Sequence, residues 1–450
     1  MSGTQTVISN KISMLFGSEI SLKDFSFSQL IVAVKNLFDT EGIPGFVKAL
    51  VILIESLLIN SGVTCPGCGK DKHHFHSKAD RKLKTSIGVV CLVLTRLLCL
   101  SCRKTFVPMA QLFDLDKYSR KSREFEKLSL ETVTNQSFRR SAKNLNDTMG
   151  FATSHTTLHR WFWKTDVVNI NQQKHVDFLI ADGTGFKTDK DASGSNRGEI
   201  RVLIGYNKNG DVIPFGAWTR ANWKAIGKLI KSKNHPSDKI KFKPIAETLI
   251  TDGEDEIIRH LSKLAKSHQR CLFHMTHELT PLLRYQDYVG KDEAIKITDE
   301  LHDLLYLDLP ETDADPIKSL EHKLKIEAHL LKMKKSIDEF ILELKMMGYK
   351  KAKTFVENAK AQLFTYVENW IKTGITNPKV TSLVERMMRE IKRRIKRMGY
   401  KWSEQGAEKM TRLILLQLSS TKHFWETHWQ EKMGTNANIK LSFLGVTVQN

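Results

Sequence analysis

The chain is short of three things: cysteine, acidic residues to balance its basic ones, and long apolar runs. Six cysteines in 450 residues are too few for the dense disulfide framework of a small secreted domain. Residues 1–30 lack the charged start, apolar run and small-residue cleavage site of a secretory leader, which points to a reducing, cytoplasmic compartment. The most apolar stretch, Phe46 to Ile59, is short for a membrane span and carries Lys48 and Glu55. It is expected to be a buried or oligomer-forming helix, with no membrane partner. No fixed-period repeat is present. Acidic residues number 50 against 70 Lys and Arg, a formal charge of +20. Such an excess concentrates polyanions around a protein, and nucleic acid is the commonest of them. With 41% hydrophobic and 27% charged residues, the chain can bury a core, and global disorder is excluded.

Five of the six cysteines lie between 65 and 102, four as pairs: Cys65-Pro-Gly-Cys68 and Cys99-Leu-Ser-Cys102. A CxxC knuckle presents two thiolates to one tetrahedral zinc, and a second knuckle completes four ligands. The spacing predicts a zinc ribbon with one structural Zn²⁺. His73, His74 and His76 in the insert are possible substitutes for a cysteine, and the basic insert Lys70 to Lys84 is expected to touch DNA. Cys91, in an apolar run, is expected in the core.

The chain divides by texture into six segments. Residues 1–60 are helical, with Leu30, Val34, Leu37 and Phe38 on one face and a Gly-Ile-Pro-Gly break at 42–45. The ribbon covers 61–112, and a helix-turn-helix is expected over 113–168. An α/β core spans 169–280 and returns at 376–425, around a helical insertion at 281–375, and 426–450 form a loosely held tail. The whole is a multidomain α/β protein with large helical parts. In the two-helix segment, Arg139 to Met149 forms the first helix, Gly150 breaks it, and Ser154 caps a second. That second helix would show Thr157, His159 and Arg160 to base edges in the major groove, with Trp161 and Trp163 as anchors.

In the core, strands are expected at 176–181, 199–206, 212–218, 247–251 and 270–274, with helices at 222–232 and 254–267. Asn207-Lys-Asn-Gly210 between two strand-like runs predicts a hairpin. Two strands end alike, VDFLIADG at Asp182 and ETLITDG at Asp252. An acid at a strand mouth can point a rigidly held oxygen into a cleft, as Mg²⁺ coordination requires. Glu385 opens a basic helix in which Arg389 and Lys392 share its face, so a phosphate at the acids would meet cations. Cys271 and His274 are expected at the rim of this cleft.

In that order (Asp182, Asp252, CxxH at 271–274, a helical insertion, Glu385-Arg, then Gly399 to Ala407) the residues resemble the Mutator-like DDE transposases of bacterial insertion sequences. The resemblance covers roughly 120–420. It implies a ribonuclease H-like mixed-sheet core interrupted by an all-α insertion, with Asp182, Asp252 and Glu385 as catalytic residues holding two Mg²⁺ or Mn²⁺ ions. It also implies double-stranded DNA partners (terminal inverted repeats and target), a homodimer or larger synaptic assembly, and nucleoid association. By the same resemblance Cys271 and His274 arrange DNA rather than bind zinc. Trp370 is the residue of the insertion expected to stack on an exposed base. Two other readings stay open: a ribonuclease H-like structure-specific nuclease, and a non-catalytic DNA-binding regulator derived from a transposase.

Overall fold

The structure, a computed structural model, describes residues 42–60, 62–113, 115, 118–166, 175–189, 196–234, 243–310, 316–374, 378–379, 382–419, 425–429, 441–443 and 446–448. The helix expected around Leu30 to Phe38 lies outside them. The chain separates into two compact units, Met1–Phe125 with Lys143–Ala152, and Glu126–Ala142 with Thr153–Asn450.

The first unit is built on a long hairpin. Strand β1 (His73–Thr85) runs antiparallel to β2 (Gly88–Cys99), which also pairs with the short β3 (Thr105–Phe106). The period-two alternation of β2 turns Val90, Leu92 and Leu94 inward and leaves Cys91 exposed. The expectation of a core Cys91 is thereby corrected. Helix Ile43–Asn60 starts with Pro44 in its first turn, where a missing N–H costs nothing. It lies against the hairpin through Val51 in a cluster with Leu83, Leu92 and Met109. Its buried Glu55 accepts hydrogen bonds from the Thr95 N–H at 2.6 Å and the Thr95 hydroxyl at 2.9 Å. The helix is longer than the apolar stretch Phe46 to Ile59. At 18 residues and a mean hydropathy of 1.8 it is long and apolar enough to cross a membrane by length and composition.

The second unit is mixed α/β. Five strands, β4 (Val176–Lys187), β5 (Arg197–Tyr206), β6 (Val212–Trp218), β7 (Ala246–Thr251) and β8 (Ala265–Arg270), form one sheet in the order β6-β5-β4-β7-β8. The first three run antiparallel as a meander, while β4-β7 and β7-β8 are parallel. One face of the sheet, with Leu179, Ala181, Leu203 and Leu249, packs against helices Trp223–Asn234 and Asp255–Leu261 through Ile226, Ile230 and Ile257. Helices Ser382–Lys392 and Glu404–Leu418 pack on strands of the same sheet. Helix Glu404–Leu418 is tied to β6, as Arg412 Nε donates to the Ala217 carbonyl at 3.1 Å.

The expected helix at 254–267 is shorter, and β8 occupies 265–270, earlier than the strand expected at 270–274. The sequence Ala265-Lys-Ser-His-Gln-Arg270 has no apolar alternation to announce a strand. Its polar side chains instead fasten the helical insertion to the sheet edge. Gln269 Nε2 donates to the Leu363 carbonyl at 3.0 Å and Gln269 Oε1 accepts from the Tyr366 N–H at 2.8 Å. The Thr365 hydroxyl donates to the His268 carbonyl at 2.7 Å. Covering an edge strand in this way blocks further strand pairing. The insertion holds helices Lys291–Leu305, Pro316–Met346, Lys350–Ala359 and Thr365–Thr373 around its own apolar cluster. Trp370 is only 2% exposed, so it is part of the packing, and the expectation that it stacks on an exposed base is corrected. Near the end of the chain, Leu441–Phe443 (β9) pairs with Val446–Val448 (β10), a ladder that the expectation of a loosely held tail did not include.

Candidate functional site

Asp182 and Asp252 come together because the sheet makes them neighbours. β4 and β7 are parallel with Phe178 opposite Thr248 and Ile180 opposite Ile250. Two residues beyond the last of these pairs stand Asp182, still on β4, and Asp252, just past the end of β7, on neighbouring strands about 4.8 Å apart. Neither matches the expected form in full. The parallel pairing stops at Ile180, but β4 continues to Lys187 beside β5, with Asp182 opposite Val202. Asp252 follows β7, and one of its oxygens accepts the Glu254 N–H at 3.0 Å.

Like charge and burial are both visible at this pair. Burial first, then the Asp252 charge, push the Asp182 pKa up to about 6, against the opposing pull of Lys392, the Gly183 N–H and His274. Lys392 of helix Ser382–Lys392 is therefore near enough to Asp182 for its charge to act there. Glu385 lies on that helix, and its side chain is outside the described residues. Arg389 is exposed on the same helix. Glu390 pairs with Arg393 at 2.8 Å.

Cys271 and His274 open helix Leu272–Gln286 instead of sitting in a strand, with Cys271 at the N-cap. Cys271 is fully buried, its N–H bonds to the Thr251 carbonyl at 2.8 Å, and its sulfur lies 3.3 Å from His274 Nδ1. Burial alone would lower the His274 pKa. Cys271, Asp252 and Glu278 outweigh it and raise the value to about 9. The imidazole is thus a cation beside the acids at neutral pH.

Sequence reasoning missed Arg270 and Glu278. Arg270 is 8% exposed. Its Nη2 lies 3.7 Å from Glu278 and its guanidinium sits over the Phe355 ring at 5.5 Å. Gly253, at φ +100°, makes room for it: a Cβ there would fall 0.3 Å from Arg270 Nη1. Burial, then the Asp252 charge, also raise the pKa of Glu254, while for Glu278 burial leads and Arg270 opposes it. His274 and Glu278 are four apart on one helix face, a signal hidden while 270–274 was taken as a strand.

In the other unit the two CxxC pairs converge. The ends of the hairpin bring them together, since His73 is opposite Cys99. The Sγ atoms of Cys65, Cys68, Cys99 and Cys102 all lie within 4.8 Å of one another, with 3.6 Å between 65 and 102 and 3.5 Å between 68 and 99. These spacings far exceed a disulfide bond, and four ligands about 2.3 Å from a zinc would sit about 3.8 Å apart. The donor set fits zinc. Backbone N–H groups led by that of Cys102 lower the Cys99 pKa to about 6, which favours a thiolate. His73, His74 and His76 are not in the group; His73 packs edge-on against Phe106 at 6.1 Å. Among the described residues this is the one convergent group of three or more such ligands.

The two-helix segment forms as expected locally. Helix Phe138–Met149 ends at Gly150 with φ +66°, and Ser154 caps helix His155–Lys164 by accepting the Thr157 N–H at 3.2 Å. Leu158 and Phe162 are its buried anchors. Trp163, expected as an anchor, is 38% exposed. Its indole N–H donates to His159 Nε2 at 3.0 Å, and Thr157 is engaged with the cap, while Arg160 is exposed.

No family model matches the chain, and no curated protein matches it significantly. What the geometry defines is a multidomain α/β protein with paired sheet carboxylates and, in a separate unit, four clustered cysteines.

Proposed function

We propose that the chain is a DNA transposase of the DDE type with a ribonuclease H-like core. The observation that carries this reading is that Asp182, on β4, and Asp252, directly after β7, come from adjacent parallel strands of a sheet ordered β6-β5-β4-β7-β8, with Asp252 raising the Asp182 pKa. That order, an antiparallel meander followed by two parallel strands, fits a ribonuclease H-like sheet with its first acid on the first strand and its second after the fourth. Asp182 and Asp252, with Glu385 from the facing helix, would hold two Mg²⁺ or Mn²⁺ ions. When bound, such a pair activates an attacking oxygen and stabilises a leaving one. The raised pKa of Asp182 means that burial and the Asp252 charge outweigh the nearby Lys392 and His274, so this carboxylate pair would still gain from a bound cation. That is the electrostatic counterpart of a cation site.

The chain's own groups supply the rest. Lys392 and the His274 imidazolium place positive charge where a scissile phosphate would lie. The Cys271 sulfur orients His274, and Arg270 holds Glu278 beside it. The four-cysteine unit, as a zinc ribbon, and the capped two-helix segment, as a helix-turn-helix, would bind the ends of the element. Water would hydrolyse the phosphodiester at the element's end, and the 3′-hydroxyl so freed would attack a phosphodiester of target DNA and release the target's own 3′-hydroxyl, with two copies or more holding the two ends.

The test uses a supercoiled plasmid carrying the DNA that flanks the gene. The parent protein is expected to nick and join it in Mg²⁺. Asp182→Ala and Asp252→Ala are each expected to lower nicking by at least about a hundredfold while the variants still bind the DNA. Full cleavage by Asp182→Ala would end the reading. Cleavage without joined products would favour a nuclease.

A further inference from the structure

We propose that the second unit carries a pocket for a single unstacked nucleotide, separate from the acid pair. The proposal rests on the reading of the chain as a DNA-processing enzyme and adds a DNA subsite to it. A groove of about 740 Å³ lies between the start of helix Phe138–Met149, the exposed face of helix His155–Lys164 and the segment Tyr400 to Gly406. That volume is typical of a small-molecule site, and suits one nucleotide rather than a duplex.

Its walls have the chemistry of single-stranded nucleic-acid binding, which combines aromatic platforms with cations. Trp163, Tyr400 and Trp402 supply flat apolar faces; Trp163 and Tyr400 are 38% and 47% exposed. Arg139, Arg394 and Lys401 supply charge, and no carboxylate is among the described residues lining the groove. Lys401 alone has a distant acid partner, Asp189 at 3.9 Å.

Two features at the base of the groove suit an anionic, hydrogen-bond-accepting ligand. Arg394 is 1% exposed, and none of the ion pairs among the described residues includes it. Its guanidinium lies 4.8 Å from the Trp402 ring and 5.9 Å from that of Phe138, and its Nε donates to the Val133 carbonyl at 3.0 Å. A buried cation without a counter-ion is costly, and a phosphate, the anion that accompanies a nucleobase, would offset that cost. Trp402 Nε1 is buried with no acceptor, and a base or phosphate oxygen could accept from it. At Gly406 a Cβ would meet Ser403 Oγ at 2.9 Å and Trp163 at 3.5 Å, so this wall stays narrow only with glycine.

The groove is also placed to read DNA held by the acids. The Trp402 backbone N–H donates to the Lys187 carbonyl at 3.0 Å. Lys187 is five residues beyond Asp182 on β4, about 17 Å at strand rise. A nucleotide seated there would lie several positions from the phosphate at Asp182.

The experiment measures binding of full-length protein, without added Mg²⁺, to a paired duplex and to the same duplex carrying one bulged 2-aminopurine. The parent is expected to bind the bulged duplex about tenfold more tightly and to quench the 2-aminopurine by stacking. In Trp163→Ala and in Tyr400→Ala the ratio of the two affinities is expected to fall to about one, whereas Tyr400→Phe keeps it. Because the readout is a ratio, a general loss of affinity in a variant cancels. Equal affinities in the parent, or a ratio that survives both alanine variants, overturns the proposal. Neither result depends on nicking, so failure of the pocket and failure of the metal-dependent reaction are told apart.

Discussion

Asp182 is the residue at which stability and the proposed chemistry pull in opposite directions. Its pKa is raised from an ordinary value near 3.8 to about 6, first by burial and then by Asp252. The folded chain therefore holds this proton more tightly than the unfolded chain does. The stability that Asp182 contributes is complete below about pH 3.8 and is lost as pH rises through about 6. Asp182→Asn keeps the shape and removes the charge, so it is expected to raise the melting temperature at pH 7 in Mg²⁺-free buffer. The gain is bounded by about 3 kcal/mol and vanishes below about pH 4. Calorimetry across this range, with and without Mg²⁺, measures it; added Mg²⁺ is expected to stabilise the parent and not the variant. An unchanged melting temperature at pH 7 would contradict the burial of this charge. The neighbouring Gly253 belongs to the same scale, since only a residue without a Cβ leaves the Arg270 guanidinium its place.

At the scale of elements, the cysteine hairpin makes a sharp prediction. Its inner face buries Val90, Leu92 and Leu94, so the middle of the hairpin has an apolar core. The other end has Val63, Leu97 and Phe106 around the sulfurs, a small cluster for which a metal is the natural fastening. Purified protein is expected to contain one equivalent of zinc by elemental analysis. Cys99→Ser is expected to lose it and to unfold this unit at a lower temperature, with the sheet unit unaffected. Full folding with no zinc in the parent would refute this. Elements also show where the sequence misled. Strand β8 was hidden because its polar residues bond to helix Thr365–Thr373, a partner about a hundred positions away by chain order. The helix beginning at Leu272 was hidden in turn, and with it the His274 to Glu278 spacing.

At the scale of the whole molecule, the formal charge of +20 bears on the proposed binding to DNA. Binding to duplex DNA is expected to weaken about a thousandfold or more between 50 and 200 mM salt, as for proteins making six or more phosphate contacts. A titration of affinity against salt gives the slope. A flat dependence would remove DNA as the main partner.

The sequence alone was enough for the alternation of the strands, the paired CxxC knuckles, the Gly150 break with its Ser154 cap, and the repeated apolar-strand-Asp-Gly form. All of these are set by neighbours a few residues apart, through period, spacing and backbone freedom. Only the tertiary structure decided that Asp182 and Asp252 come from adjacent strands, that Arg270 and Glu278 feel the Asp252 charge, that Trp370 is core, and that Trp163, Arg394 and Tyr400 line one groove. Those relations depend on strand register and on helices returning from distant parts of the chain, and no local pattern encodes which distant surface a side chain will meet.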